Sequence, residues 1–303
     1  MRKGEITREV VSCLISEQFP QWADLDVRPV VLDGWDNTTF RLGDDMSVRL
    51  PSHDVYVPQI DKEHRWLPRL AAQLPLPIPA PIARGAPGCG FPRAWSVYGW
   101  LPGEPTGVVG INDLDHFAED LADFLIALQR MDPEGGPPAG AHSFNRGGSV
   151  HAWNEQTRTI IDQLADAIDV NGAREVWDAA LSEQWRGPDV WVHGDVTGSN
   201  LLVADDRLCG VIDFGCSAVG DPACDLTPAW TMFERSSRAA FRDRLRLDRG
   251  TWARARGWAL WKALIDIPGR PVDDPGRTGA RFGWSWDALG VIEAVIADHR
   301  ATR

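Results

Sequence analysis

The stretch "WVHGDVTGSNLLVADDRLCGVIDFG", Trp191 to Gly215, limits what this chain can fold into more than any other. Its two short apolar runs, "NLLVA" and "LCGVI", are separated by the turn residues "DDR". Runs of this length bounded by turn signals read as a pair of buried strands. Asp195 and Asn200 stand just before the first run, and Asp213 ends the second. A hairpin brings the loops at its open end side by side, so three oxygen-bearing side chains are expected together.

Phosphoryl transfer needs such a set. It asks for a carboxylate to orient the attacking hydroxyl, ligands for magnesium, and positive charge on the phosphates. Asp195 is suited to accept a hydrogen bond from a substrate hydroxyl. Asn200 offers a neutral oxygen to a metal, and Asp213 a charged one. Magnesium is a hard ion that takes oxygen ligands, so Asn and Asp suit it.

His193, Asp195 and Asn200, followed by Asp213-Phe214-Gly215, match the kinase arrangement H-x-D-x-x-x-x-N and D-F-G. Gly194 stands where protein kinases carry Arg, and "GDPACDL" follows at 220–226. With these features the chain resembles the aminoglycoside phosphotransferase family, whose members share the protein-kinase fold. The resemblance implies ATP as donor, Asp195 as catalytic base, and Asn200 and Asp213 as magnesium ligands. It also implies that His193 supports the loop and that Asp225 accepts hydrogen bonds from the catalytic-loop backbone. Asp221-Pro222 reads independently as a helix start, with Asp at N-cap and Pro at N1. Cys216 and Cys224 read as small apolar fillers.

The rest of the chain has the layout of an α+β, two-lobed protein-kinase-like fold. A small antiparallel β-rich lobe is expected over 1–101 and a larger, mainly helical lobe over 102–303. The first lobe binds nucleotide in this reading; the second carries the catalytic loop and the acceptor pocket. Strand signals occur at 27–32, in "TTFRL" and "MSVRL" around a Gly43-Asp44-Asp45 turn, and at 93–101. A helix with Ile60, His64, Leu67 and Leu70 on one face is expected to bend or end at Pro68. "PLPIPAP" at 75–81 reads as an extended connector and "PGEPTG" at 102–107 as the linker. Beyond it, helices are expected at 113–131, 151–168 and 172–185.

The nucleotide side departs from the kinase pattern. Neither G-x-G-x-x-G nor a strand lysine appears. "DGWDNTTF" occupies the place of the glycine-rich loop, with Gly34 and Asn37 to turn the backbone toward phosphates. Arg49 takes the lysine position, with a permanent charge and a forked donor, and Glu63 on the following helix is its expected partner. The alternative is a solvent-facing Arg49. Lys62 is expected to point elsewhere. The family resemblance implies that adenine meets the hinge backbone, here at Tyr98, Gly99 and Trp100.

Net charge is −12, which disfavours nucleic acid and is compatible with a cationic small molecule or simply with solubility. Glu234, Asp266, Asp273 and Asp274, with Trp261, Trp284 and Trp286, are candidates for an acceptor pocket; solvated carboxylates and core aromatics are the alternative. The five cysteines include no C-x-x-C pair, so neither a disulfide framework nor a zinc site is expected. With no signal peptide or long apolar run, a cytoplasmic protein without membrane contact is expected. Three functions fit: an antibiotic kinase conferring resistance, a metabolic kinase of choline, a sugar or an amino alcohol, and a silent nucleotide binder.

Overall fold

The computed structural model describes residues 3–30, 34, 36–106, 109–267 and 287–302. They divide into two compact units. One comprises residues 3–103 with Gly210–Gly215; the other comprises Glu104–Cys209, 216–267 and 287–302.

The first unit opens with α1 (Arg8–Gln18), followed by β1 (Val27–Pro29), β2 (Asn37–Leu42), β3 (Met46–Pro51), α2 (Val57–Ala71), β4 (Pro81–Gly85) and β5 (Trp95–Gly99). Its strands form one antiparallel sheet in the order β1-β2-β3-β5-β4. β2 and β3 pair from Asn37 opposite Pro51 to Leu42 opposite Met46, turning through Gly43 to Asp45. Alternation along β3 sorts its side chains. Val48 and Leu50 are buried with Phe40, Leu42, Trp95, Val97 and with Val11, Leu14 and Ile15 of α1. Each such burial is worth about 1.5–3 kcal/mol. Arg49, between them, takes the other face, where α2 supplies Glu63.

Three sequence expectations change here. α2 continues through Pro68 to Ala71. Pro68 lies in its last turn, so the one missing N–H costs less than burial of Leu67 and Leu70 returns. The connector leads into a further strand, β4, irregular between Pro81 and Ala83. β4 is an edge strand, where a proline is tolerated. Cys13 and Cys89, 76 residues apart, form a disulfide, contrary to the expectation of none. Cys209, Cys216 and Cys224 are free thiols.

The second unit begins with β6 (Glu104–Pro105), α3 (Leu114–Gln129), α4 (Asn154–Gln163), α5 (Val170–Ser182) and β7 (Val190–Val192). β8 (Leu201–Ala204), β9 (Arg207–Val211) and β10 (Ala218–Gly220) follow, the last residues of β9 clustering with the first unit. α6 (Pro228–Thr231), α7 (Arg235–Leu245), α8 (Arg249–Ile265) and α9 (Ala288–Ala301) complete the chain. β6, inside the expected linker, pairs with β8, which neighbours β9; β10 pairs with β7.

Aspartates start the long helices. Asp113, Asp169, Asp248 and Asp287 accept from the N–H of His116, Gly172, Thr251 and Gly290. Each such cap contributes about 1 kcal/mol. α8 packs on α5, α9 and the 3-10 turn Pro222–Leu226, and is buried on nearly every side. It is the central element of this unit, as a helix with little exposed face must be. Its buried Arg254 pairs with Asp221 at 2.7 Å and its Arg256 with Asp298 at 2.9 Å. No helix among the described residues is long and apolar enough to cross a membrane.

Candidate active site

β7 delivers the chain into His193-Gly194-Asp195, and a 3-10 turn, Gly198–Asn200, leads into β8. Asp225, fully buried, fixes the bend: its two carboxylate oxygens accept from the N–H groups of His193 and Gly194, each at 2.7 Å. Burial pushes the Asp225 carboxyl up, against His193 and the two amides, which favour the charged form. His193 is buried, and its Nδ1 accepts from the Asp195 N–H at 3.2 Å. Gly194 has φ +85°, and a Cβ there would lie 2.4 Å from the Cys216 carbonyl oxygen. A side chain such as the kinase Arg does not fit this position.

Asp195 is half-buried, with one third of its side chain exposed. Its Oδ1 accepts from Lys262 Nζ at 2.8 Å. Asn200 Nδ2 donates to the Asp195 backbone oxygen at 2.9 Å and reaches Oδ2 at 3.4 Å. Burial raises the Asp195 pKa, but Lys262 and then Arg146 outweigh it and hold the carboxyl at about 2. Asp195 is therefore an ionised acceptor throughout the neutral range. Arg146 lies 4.6 Å over the Trp261 ring, whose stacking partner is Trp153 at 4.8 Å.

Lys262 and Arg146 are neighbours of Asp195 that the motifs do not reveal. Arg146 has no sequence signal. Lys262 has one: it is the only charged side chain in the apolar run "WALWKALI" at 258–265. A lysine among buried residues needs a partner.

A second constellation belongs to the first unit. Arg49 donates to Asp213 Oδ1 at 2.9 Å and, more weakly, to Glu63 Oε1 at 3.4 Å. Glu63 is buried and also accepts from the Tyr98 hydroxyl. Burial opposes the Arg49 charge, but Glu63 and Asp213 outweigh it and raise the guanidinium pKa. Burial, followed by the Glu63 charge, lifts the Tyr98 phenol well above its usual range. Asp213 sits at φ +66°, a left-handed conformation that Asp tolerates better than most residues. Lys62, expected to point elsewhere, donates to the Gly215 carbonyl at 2.7 Å. A Cβ on Gly215 would lie 2.9 Å from the end of the Gln59 side chain, which would have to shift to admit it.

Asn200 and Asp213 each retain an oxygen for a hard cation. Asn200 uses its amide N–H groups on Asp195, leaving Oδ1, and Asp213 Oδ2 accepts nothing among the described residues. Neutral and charged oxygens are the donors magnesium takes.

The other candidates are less well placed. The N–H groups of Gly99 and Trp100 donate to the Ala80 and Asp45 carbonyls at 2.9 and 2.8 Å, so neither amide is open to adenine. The Tyr98 side chain is committed to Glu63, and the Trp100 ring carries Arg41 at 4.0 Å. Asn37 is buried opposite Pro51, and the exposed Gly34 accepts from Lys3 through its carbonyl. Trp261 faces the protein's own Arg146 and donates to Gln156 at 2.8 Å. Glu234 opens α7 and Asp266 closes α8. Asp273, Asp274, Trp284 and Trp286 lie outside the described residues.

A profile of the phosphotransferase enzyme family matches residues 27–258. No curated protein sequence gives a significant match. Among solved structures, the GDP complex of wild-type aminoglycoside 2'-phosphotransferase-IIIa is 18% identical, with TM-score 0.70, over 97% of this chain and 100% of that one. Macrolide 2'-phosphotransferase MphH from Brachybacterium faecium is 22% identical, with TM-score 0.62, over 85% and 90%. The streptomycin–ATP–APH(2")-IIa ternary complex is 18% identical, with TM-score 0.57, over 82% and 88%. The chain is a phosphotransferase: it belongs to the phosphotransferase enzyme family and has the protein-kinase-like fold of the aminoglycoside phosphotransferases.

Proposed function

We propose that the protein transfers the terminal phosphoryl group of ATP, with magnesium, to a hydroxyl of a small molecule, and that an aminoglycoside-type antibiotic is the acceptor. The observation that carries the reading is the Asp195 carboxylate. It is ionised, fixed at one oxygen by Lys262, and its side chain is one third exposed. A hydroxyl meeting that carboxylate is oriented for attack. As the acceptor oxygen bonds to phosphorus, the bond from phosphorus to the nucleotide oxygen breaks, and the hydroxyl proton passes to Asp195. The first unit is the nucleotide-binding part, with Arg49 as its phosphate-side cation. The second carries the catalytic loop and the acceptor. Asn200 and Asp213 are the residues that would hold magnesium, which when bound neutralises phosphate charge. The aminoglycoside and macrolide enzymes of similar fold, with their nucleotide complexes, support this choice of chemistry.

A metabolic kinase of choline, a sugar or an amino alcohol is the second reading. Lys262 and Arg146 beside Asp195 favour a sugar within it, because a cationic acceptor, and a polycationic one most of all, meets like charge there. A screen of ATP and GTP consumption across aminoglycosides, macrolides, sugars, choline and amino alcohols decides between them, with the phosphorylated product identified by 31P NMR. Turnover on aminoglycosides alone supports the first reading. Turnover confined to sugars or amino alcohols supports the second. No transfer to any hydroxyl contradicts both.

A further inference from the structure

We propose that Lys262 is a positioning residue for Asp195: from the last turn of α8 it holds one carboxylate oxygen so that the other faces the acceptor hydroxyl. The inference rests on the phosphotransferase reading of Asp195 given above. Lys262 and Asp195 are separated by 67 residues, yet Nζ lies 2.8 Å from Oδ1. The lysine side chain is only 18% exposed and has no second acceptor among the described residues. Its neighbours along α8, including Ala259, Trp261 and Ala263, are buried, so its stem is held by packing and its head is aimed. Asn200 approaches the same carboxylate from the loop, at Oδ2 and at the backbone oxygen. Asp195 is thus gripped from two directions, by a local residue and by a distant one.

A cation beside a base weakens its basicity, and a reaction limited by proton abstraction would suffer from it. Phosphoryl transfer through a loose transition state makes little demand for a strong base; it rewards orientation. The arrangement therefore fits this chemistry better than it fits a general structural ion pair. Loss of geometry at a reacting group costs about a hundredfold in rate.

The test compares wild type, Lys262→Met, Lys262→Arg and Asp195→Asn, using an acceptor that wild type turns over. Measured are kcat, the Michaelis constants for ATP and acceptor, and the thermal midpoint. Lys262→Met, similar in length and apolar, is expected to lower kcat by about thirty- to a hundredfold. Both Michaelis constants should stay within about threefold, and the midpoint separates a loss of fold from a loss of geometry. Lys262→Arg should recover part of kcat, because the charge remains while its geometry changes. A Lys262→Met kcat within twofold of wild type, or a loss that follows a fall in midpoint and is not recovered by arginine, overturns the inference. An inactive wild type, or an Asp195→Asn variant as active as wild type, overturns the underlying reading instead.

Discussion

Asp195 and Asp213 are both carboxylates held by a cation, but the two pairs are built differently. Asp213 meets Arg49 of β3, 164 positions earlier, and Arg49 also leans on Glu63 and through it on Tyr98. That is a chain of partners anchored on the buried Glu63 and Tyr98, each needing the next. Asp195 meets Lys262 from α8 and, at longer range, Asn200 from its own loop, and remains partly exposed. The difference teaches which property each site protects. The network around Arg49 secures a permanent charge inside the β-rich unit, where burial opposes it. The Lys262 bond occupies one carboxylate oxygen and leaves the other with only the long Asn200 contact.

If the comparison is right, damage to the Asp213 pair appears in nucleotide binding. The largest effect expected is from Asp213→Asn, about a hundredfold loss of magnesium-dependent ATP affinity. Asn200→Ala should lose about tenfold, since a neutral ligand contributes less. ATP titrations with and without magnesium measure both, and equal losses would remove the distinction between the two oxygens.

Arg49→Ala should raise the ATP Michaelis constant by about tenfold and lower turnover, the scale of one charged hydrogen bond. Arg49→Lys should retain part of the activity, with the charge kept and the fork lost. An ATP Michaelis constant unaffected by Arg49→Ala would mean that Arg49 serves only to balance Glu63.

Tyr98→Phe sharpens the same point with the smallest change. It removes the hydroxyl that Glu63 accepts from, so stability should fall by about 1–2 kcal/mol. ATP affinity should hold, because the side chain is committed to Glu63. Chemical denaturation alongside ATP titration separates the two; a loss confined to ATP affinity would return Tyr98 to the nucleotide.

The catalytic loop was legible because its bonds are local. His193, Asp195 and Asn200 lie within eight residues and bond to one another, so their spacing carries the geometry. Strand alternation likewise put Arg49 opposite the core face of β3, and the helix after it offered Glu63. Lys262, Arg146 and the Cys13–Cys89 disulfide depend on tertiary approach, which no spacing encodes. The partner of Lys62 is a backbone carbonyl far along the chain, which its place on α2 does not encode. At Gly99 and Trp100 the sequence indicated a strand end, but not that its amides were already taken by Ala80 and Asp45.

The most direct test of the account is Asp195→Asn, followed by single-turnover phosphoryl transfer and by ATP titration on the same protein. The substitution keeps the shape of the group and removes its charge. Transfer about a hundredfold slower or more, with ATP affinity within a few-fold of wild type, is the predicted result. Transfer within a few-fold of wild type would contradict the account, because no other carboxylate is held as Asp195 is by Lys262 and Asn200 among the described residues.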